Sequence, residues 1–252
     1  MVTFMKGFFS VLAAIGNIGR YGVRKYLLLS GLITLVLGSV IFYGGYSLSD
    51  DIAIKVVEWY PFTIGIEFVE KASAIIGGIL IVALGLLLFK FFIIALCSPI
   101  LSLVSEKVEL VLIGDTRTPR FSIVGMITDF IRGIIIGVSN LIKELFFIGL
   151  IMMLGIFFPF GVPVFTVLAF LIQSYYAGYS NIDFFMERRF NPRTSNVVAS
   201  RNKFGLMGIG SAFLLIIMVP VIGWILGPIM GTIAATEYGV YRNLDPQLEP
   251  HL

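Results

Sequence analysis

Four long apolar runs, almost free of charge, constrain this chain more than any other feature of its sequence. They are Tyr26–Tyr46, Ala72–Val104, Leu145–Ser180 and Phe204–Thr236, and Lys90 is the single charged side chain within them. A helix needs about 20 residues to cross a hydrocarbon core about 30 Å thick. The runs therefore predict an integral membrane protein built entirely from α helices.

The composition excludes a water-soluble globule. Apolar residues make up 58% of the 252 residues and charged residues only 13%, whereas soluble domains carry about a quarter charged residues. The chain has one cysteine, Cys97, and one histidine, His251, although these residue types supply most metal ligands and general bases. We therefore predict no metal site, no cofactor and no enzymatic activity. The net charge of +3 is typical of basic cytoplasmic loops and does not indicate nucleic acid binding.

Prolines interrupt two of the four runs. The third run contains Pro159 and Pro163, and the fourth contains Pro220 and Pro228. Proline lacks a backbone donor and clashes with the preceding turn, so closely spaced prolines end a helix. Each of these runs is therefore predicted to be a helical hairpin.

The predicted arms of the hairpins are short. Leu145–Phe158 would reach about 21 Å and Phe204–Val219 about 24 Å. We therefore expect two full transmembrane helices plus two hairpins that penetrate the membrane only partway. The alternative is six short transmembrane helices in a thinned bilayer. Residues 1–242 are expected to form one helical membrane domain, followed by a disordered tail over 243–252.

The distribution of charge predicts the orientation in the membrane. Residues 1–25 carry four basic side chains and no acid, whereas residues 47–71 carry five acids and two bases. Basic residues accumulate on the cytoplasmic side of a membrane protein. The N-terminus is therefore expected in the cytoplasm and the acidic segment outside.

A basic segment with a glycine precedes the first run. Gly22, Val23, Arg24 and Lys25 lie where a helix is expected to begin, and a helix start offers free amides with partial positive charge. Glycine lets neighbouring amides turn toward a ligand, and the two cations add attraction for an anion. These four residues are predicted to bind an oxyanion. The alternative is that Arg24 and Lys25 are ordinary anchors beside lipid phosphates.

Further charged residues are predicted to line a permeation path. Glu106 and Lys107 follow the second run, and Arg132 lies in a later amphipathic stretch. We expect Glu106 to pair with Arg132, or with Lys107 of a neighbouring subunit, near the inner surface. Lys90 would add positive potential along the path or extend toward the interface. The alternative for Glu106 and Lys107 is a solvated helix end.

Charged side chains follow the third run directly. Asp183, Arg188 and Arg189 are expected to form a salt-bridged cap at the membrane interface. Glu106, Glu109 and Glu237 are the acids that an intramembrane enzyme would use. Because they have no convincing catalytic partner in the sequence, an enzyme is the least favoured interpretation.

Several motifs, in this order along the chain, resemble the CysZ family of bacterial sulfate permeases. They are residues 22–25, the segment from Ser98–Pro99 to Val108, residues 180–183 with Arg188, and residues 231–236. The resemblance implies an oligomeric inner-membrane protein with two spanning helices and two partly penetrating hairpins. It also implies inward movement of sulfate, or of sulfite, for sulfate assimilation and cysteine synthesis.

The same resemblance implies that Gly22, Val23, Arg24 and Lys25 hold the sulfate. Lys25 stands where the family often has a second arginine, and lysine lacks the two-pronged geometry of a guanidinium. Leu29–Ser30 stands where the family often has a proline. The alternative function is a non-transporting membrane scaffold, or a protein that binds anionic lipids through its basic loops.

Overall fold

The computed structural model describes residues 2–59, 89, 91–119 and 122–244, and every regular element within these residues is helical. A 3₁₀ turn, Pro159–Gly161, lies between the fourth and fifth helices. The helices are α1 (Val2–Arg20), α2 (Arg24–Trp59), α3 (Phe91–Leu112), α4 (Ile123–Phe157), α5 (Val162–Met186), α6 (Pro192–Arg201), α7 (Lys203–Ile217) and α8 (Ile222–Tyr241).

Five of the described helices are long and apolar enough to cross a membrane. They are α1, the Arg24–Gly44 part of α2, α3, most of α4, and α5. The prediction of an all-α integral membrane protein is therefore confirmed. The first apolar run lies within α2. Much of the second run, together with Lys90 and residues 245–252 of the predicted tail, lies outside the described residues.

Both hairpins are interrupted at prolines, as the sequence predicts. α4 ends at Phe157, and the 3₁₀ turn Pro159–Gly161 leads into α5. Pro163 lies in the first turn of α5. The backbone N–H groups of a first turn have no acceptor within the helix, so proline, which lacks an N–H group, fits there. The second interruption follows α7 and includes Pro220 and Val221, whose φ is 65°. The predicted helical hairpins are thus present in the structure.

The arms of the first hairpin are longer than predicted. α4 has 35 residues and α5 has 25, which correspond to about 52 and 38 Å, so the expected arm of about 21 Å is wrong. The helices continue through charged segments on either side of the apolar run. α7 has only 15 residues, or about 22 Å, close to the prediction for the second hairpin. How deeply each hairpin enters the membrane stays a prediction.

Pro228 lies inside α8 without ending it. Its ring nitrogen has no hydrogen to donate to the carbonyl of Trp224, four residues earlier. The buried hydroxyl of Thr34 in α2 donates to that carbonyl instead, at 2.7 Å. A side chain of α2 therefore replaces a missing backbone bond of α8, and of the two prolines in the fourth run only Pro220 lies at the interruption.

Thr34→Val is expected to lower the free energy of unfolding by about 1–3 kcal/mol, because the buried Trp224 carbonyl loses its donor. The measurement is the thermal unfolding of the purified protein in detergent. In a Pro228→Ala background the loss should be much smaller, since the backbone N–H at position 228 can then donate to the same carbonyl. Equal losses in the two backgrounds would contradict the assigned role of Thr34.

α7 lies between α1 and α5, and its contacts with these two helices are the most extensive among the described elements. Glycines allow the backbones to approach closely: Gly7 of α1 faces Gly205 of α7, and Gly178 of α5 faces Leu206 of α7. Small residues permit such close packing of helices in a membrane. This three-helix core positions the ends of α1 and α5, which lead into the Gly22–Lys25 segment and into Arg188 and Arg189.

α4 places its apolar stripe outward and its polar residues inward. Ile127, Ile131 and Val138 are about half exposed, whereas Asn140 and Glu144 are fully buried. In lipid the outer surface of a helix is apolar, and polar side chains turn toward the protein interior. The inward face of α4 therefore packs polar side chains against the protein interior, where Asn140 donates to the hydroxyl of Ser180 at 3.0 Å.

Candidate anion site and polar cavity

The turn between α1 and α2 contains the segment predicted to bind an oxyanion. Gly22 has a φ of 63°, in the left-handed region that glycine adopts without strain. Its N–H donates to the carbonyl of Gly19 at 3.1 Å, and the N–H of Val23 donates to the carbonyl of Ile18 at 3.2 Å. Such bonds close the end of a helix at a left-handed glycine. The amides of Gly22 and Val23 therefore cap α1.

Arg24 and Lys25 supply the charge of this turn. Both lie at the start of α2, where the first amides have no acceptor within the helix, and both are exposed. The Arg24 guanidinium lies beside Gly19 and an apolar hollow of about 450 Å³, while the Lys25 ammonium lies 4.9 Å from the ring centre of Tyr26. Val23 is fully buried. An anion at this turn would therefore contact Arg24 and Lys25 rather than Val23.

A buried cluster fixes the turn against α8. The hydroxyl of Tyr21 donates to Oε1 of Glu237 at 2.6 Å, and the side-chain amide of Asn17 donates to the same oxygen at 2.8 Å. Burial, and then the hydrogen bond to Glu237, raise the pKa of Tyr21. The phenol therefore keeps its proton and continues to donate. These bonds hold the end of α1, and with it the Gly22 turn, in one position.

Lys107 of α3 contacts the turn directly. Its ammonium donates to the carbonyl oxygen of Gly22 at 3.0 Å, so the structure joins two groups that the sequence analysis treated separately. Lys25, Lys107 and Arg117 line a basic hollow of about 290 Å³ together with one acid, Asp115. Arg117 donates to Asp115 at 2.7 Å, which lowers the pKa of Asp115. With three cations and one carboxylate in its wall, the basic hollow has a net positive charge.

A polar cavity of about 840 Å³ adjoins the basic hollow. The residues that line both spaces are Leu103, Leu110, Arg117 and Thr118. The other ionisable residues in the wall of the polar cavity are Glu106, Glu109, Asp129, Arg188 and Arg189. Of the predicted permeation path, Glu106 thus lies in the cavity and Lys107 in the hollow beside it. Lys90 lies outside the described residues.

Arg132 pairs with Asp183, a residue of the predicted interfacial cap. Its Nε and Nη2 atoms donate to the two carboxylate oxygens of Asp183 at 2.9 and 2.8 Å. The guanidinium also donates to the carbonyl of Phe190 at 2.7 Å and to the hydroxyl of Ser195 at 2.9 Å. Arg132 therefore ties α4 to the end of α5 and to α6. It is absent from the described lining of both spaces.

Arg188 and Arg189 pair with Glu109 of α3. Arg188 donates to Oε2 of Glu109 at 2.8 Å, and Arg189 donates to Oε1 as well as to Oε2. The sequence predicts both arginines in a cap with Asp183 and predicts no partner for Glu109. The two adjacent arginines after a long apolar run are the sequence signal for this site. The sequence gives no signal that Glu109 is their partner, because Glu109 lies 80 residues from Arg189 along the chain.

Glu187 lies beside three residues that line the polar cavity: Ser102, Asp129 and Arg188. Its Oε1 atom is buried and has no hydrogen-bond partner among the described residues. Burial, and then the charge of Asp129, raise the pKa of Glu187 to about 8, although Ser102 and Arg188 oppose this change. At neutral pH the carboxyl group therefore mostly keeps its proton, which reduces the negative charge next to the cavity.

A comparison with protein families identifies the family of this chain. A family model described as "Sulfate transporter CysZ/Etoposide-induced protein 2.4" matches residues 10–228, which is most of the chain. The chain belongs to this family. The range matched to the CysZ family includes the Gly22–Lys25 turn, the basic hollow and the polar cavity. The family resemblance predicted from the sequence is therefore confirmed. No curated protein matches the chain.

CysZ is described as a transporter rather than as an enzyme. Within the described ranges, no group of three or more histidine, cysteine, aspartate or glutamate side chains lies close enough together to hold a metal ion. Ion-paired guanidinium and carboxylate groups line the polar cavity. Guanidinium groups form strong hydrogen bonds with oxyanions.

Proposed function

We propose that this protein carries sulfate inward across the bacterial inner membrane and so supplies sulfate assimilation and cysteine synthesis. The observation that best supports this function is that the basic hollow and the polar cavity lie side by side and share four lining residues. Cations line both spaces: Lys25 and Lys107 line the hollow, and Arg188 and Arg189 line the cavity. Membership of the CysZ family supports a sulfur oxyanion as the substrate.

In this proposal the N-terminus lies in the cytoplasm and α1 lies along the inner interface without crossing the membrane, so the Gly22–Lys25 turn lies at the inner end of the path. Arg24 and Lys25 hold sulfate there before its release. Assembly into a homo-oligomer covers outward-facing apolar helices, and lipid covers the rest. Moving a dianion into a cell that is negative inside by about 100 mV costs about 4.6 kcal/mol. Net uptake then depends on rapid consumption of sulfate in the cytoplasm.

Replacing Arg24 and Lys25 together with alanine is expected to lower sulfate flux at least about tenfold, because the anion loses two charged contacts. The measurement is radiolabelled sulfate uptake by proteoliposomes with no membrane potential imposed. The double variant Arg201→Ala, Lys203→Ala is the matched control, since it also removes two exposed positive charges but lies outside the Gly22–Lys25 turn and outside both spaces. It should retain the flux of the original protein.

A wrong site assignment and a wrong transport function would give different results in this assay. Equal flux in the Arg24/Lys25 variant and the original protein would remove these residues from the path. Flux no greater than that of empty liposomes in every variant would contradict transport itself.

The second candidate function is binding of anionic lipid. The hollow beside Arg24 supports it, because the other walls are Ile15, Ile18, Leu27, Leu28 and two glycines, which suit an acyl chain next to a phosphate. Sulfate binding that vanishes when anionic lipid is added would favour this function. Saturable sulfate binding that is unaffected by anionic lipid would favour transport.

A further inference from the structure

One wall of the polar cavity holds a carboxylate between two guanidinium groups. The Glu109 carboxylate accepts from Nη2 of Arg188 at 2.8 Å, from Nη1 of Arg189 at 3.3 Å, and from Nη2 of Arg189 at still closer range. All three residues also line the cavity. The arrangement is a two-arginine fork around a planar pair of oxygens, which is a common geometry for recognising oxyanions.

The two arginines are held in place by groups other than Glu109. Arg188 donates to the carbonyl of Phe184 at 2.6 Å and to the hydroxyl of Ser105 at 3.0 Å. Arg189 donates to the carbonyl of Phe185 at 3.1 Å, and its guanidinium lies 4.2 Å from the centre of the Phe185 ring. The fork would therefore keep much of its shape if the Glu109 carboxylate moved away.

The charges at the fork favour a dianion over the carboxylate. Within the fork, Arg188 and Arg189 carry two positive charges and Glu109 carries one negative charge. The carboxylates of Glu106 and Asp129 also line the cavity and lower its net charge, but they are not part of the fork. A dianion such as sulfate balances both positive charges of the fork, and it also presents oxygens that accept from each guanidinium. The polar cavity is large compared with either group, so it leaves room for the Glu109 side chain to turn aside.

Glu109 has one advantage over a dissolved anion, because it is attached to the same chain. A group held in position on the same chain competes at a high effective concentration. Anions that bind the fork weakly, such as chloride, would then fail to displace it, whereas a dianion that balances both charges would succeed. The tether therefore acts as a filter on the charge of the anion.

We propose that Arg188 and Arg189 form a second oxyanion-binding site, which the Glu109 carboxylate occupies as an internal competitor until a dianion displaces it. The inference deepens the proposed transport function, and it rests on that function for its biological role. Glu109 in this view sets both the affinity and the charge selectivity of the polar cavity.

The test measures sulfate binding by Glu109→Gln in detergent, as the rise in thermal unfolding temperature with sodium sulfate at constant ionic strength, balanced with sodium chloride. The dissociation constant for sulfate, fitted to the logarithmic rise of the unfolding temperature with sulfate concentration, is expected to be about tenfold or more lower than in the original protein. Glu106→Gln is the matched control, because it removes a carboxylate from the same helix and cavity but leaves the fork occupied. Its dissociation constant should change much less.

Two further variants separate displacement from a purely structural role. The triple variant Arg188→Gln, Arg189→Gln, Glu109→Gln should lose the gain in sulfate affinity that Glu109→Gln alone is expected to show. Glu109→Asp keeps the charge on a shorter side chain, so its sulfate affinity should lie between those of the original protein and Glu109→Gln. If Glu109→Gln is unstable without sulfate, recovery of folded protein during purification in sulfate supports the proposal, and failure to recover overturns it.

The outcomes also separate this inference from the proposed function. Tighter sulfate binding by Glu109→Gln with no flux in any variant would support the second site and overturn transport. Flux in the original protein, with no gain in sulfate binding by Glu109→Gln over Glu106→Gln, would overturn the internal competitor and leave transport standing.

Discussion

Gly210→Ala is expected to prevent the recovery of stable, folded protein. A Cβ atom at Gly210 would collide with the carbonyl oxygen of Ser174 and lie 2.7 Å from the amide nitrogen of Gly178. Both obstacles are backbone atoms of α5, so no side-chain rotation relieves the contact, and α5 and α7 must separate. Overpacking of this kind costs about 3 kcal/mol or more, a large part of the about 5–15 kcal/mol that stabilises a typical protein.

Gly149→Ala provides the matched control, because it makes the same chemical change within α4. Around Gly149 no atom of the described residues lies within 4 Å of the added Cβ. Alanine is favoured over glycine inside a helix by about 1 kcal/mol, so this variant should unfold at the same temperature or a higher one. Yield after size-exclusion chromatography and the thermal unfolding temperature are the measurements. Similar behaviour of the two variants would contradict the close contact of α5 with α7.

Arg132→Ala is expected to lower the free energy of unfolding by about 3–5 kcal/mol, because it leaves the Asp183 carboxylate buried and unpaired. The side chain of Asp183 is only 6% exposed, and that of Arg132 is 13% exposed. The same change removes the donors to Phe190 and Ser195, so the connection from α4 to the start of α6 is also weakened. Thermal unfolding in detergent measures the loss.

The double variant Arg132→Ala, Asp183→Ala tests whether this pair serves structure or transport. It leaves no buried charge behind, so it should be more stable than Arg132→Ala alone. Arg193→Ala, an exposed arginine of α6, should change stability little. If the double variant folds and keeps its sulfate flux, Arg132 is a structural residue; if it folds and loses flux, Arg132 belongs to the permeation path as the sequence predicted.

Ion-paired residues occupy two different kinds of place in this fold. Arg132 and Asp183 satisfy each other almost completely and lie away from the described cavity walls. Glu109, Arg188 and Arg189 also pair, but they do so in the wall of the polar cavity. Burial of an ion pair is costly and rarely increases stability by itself. A pair that also faces a cavity is therefore the better candidate for function.

Local chemistry explains why several features were predictable. The apolar run Tyr26–Tyr46 identified part of α2, and Pro159 and Pro220 identified the two interruptions. The positive φ of Gly22 lies in the segment where a glycine was expected to permit a turn. Each prediction depended on hydrophobicity, or on the backbone limits of a single residue. These properties act over one or two turns of helix and can be read from adjacent residues.

Other features depended on distant parts of the chain. The length of α4 was missed because its charged first half is stabilised by contacts with α5 and α6, such as those made by Arg132. The continuation of α8 through Pro228 depended on Thr34, which lies 190 residues from Trp224. Neither neighbour is evident from the local pattern of the sequence.

By itself, the sequence determined that the chain is a helical membrane protein of the CysZ family, with hairpins interrupted at prolines and a basic turn before α2. Transfer of apolar residues into lipid and the geometry of proline and glycine are local effects, so they needed no tertiary contacts. Only the tertiary structure decided that Lys107 reaches Gly22, that Arg132 pairs with Asp183, and that Glu109 lies between Arg188 and Arg189. The choice of an ionic partner depends on how whole helices rotate and pack against one another, and that packing is settled by contacts spread along the entire chain.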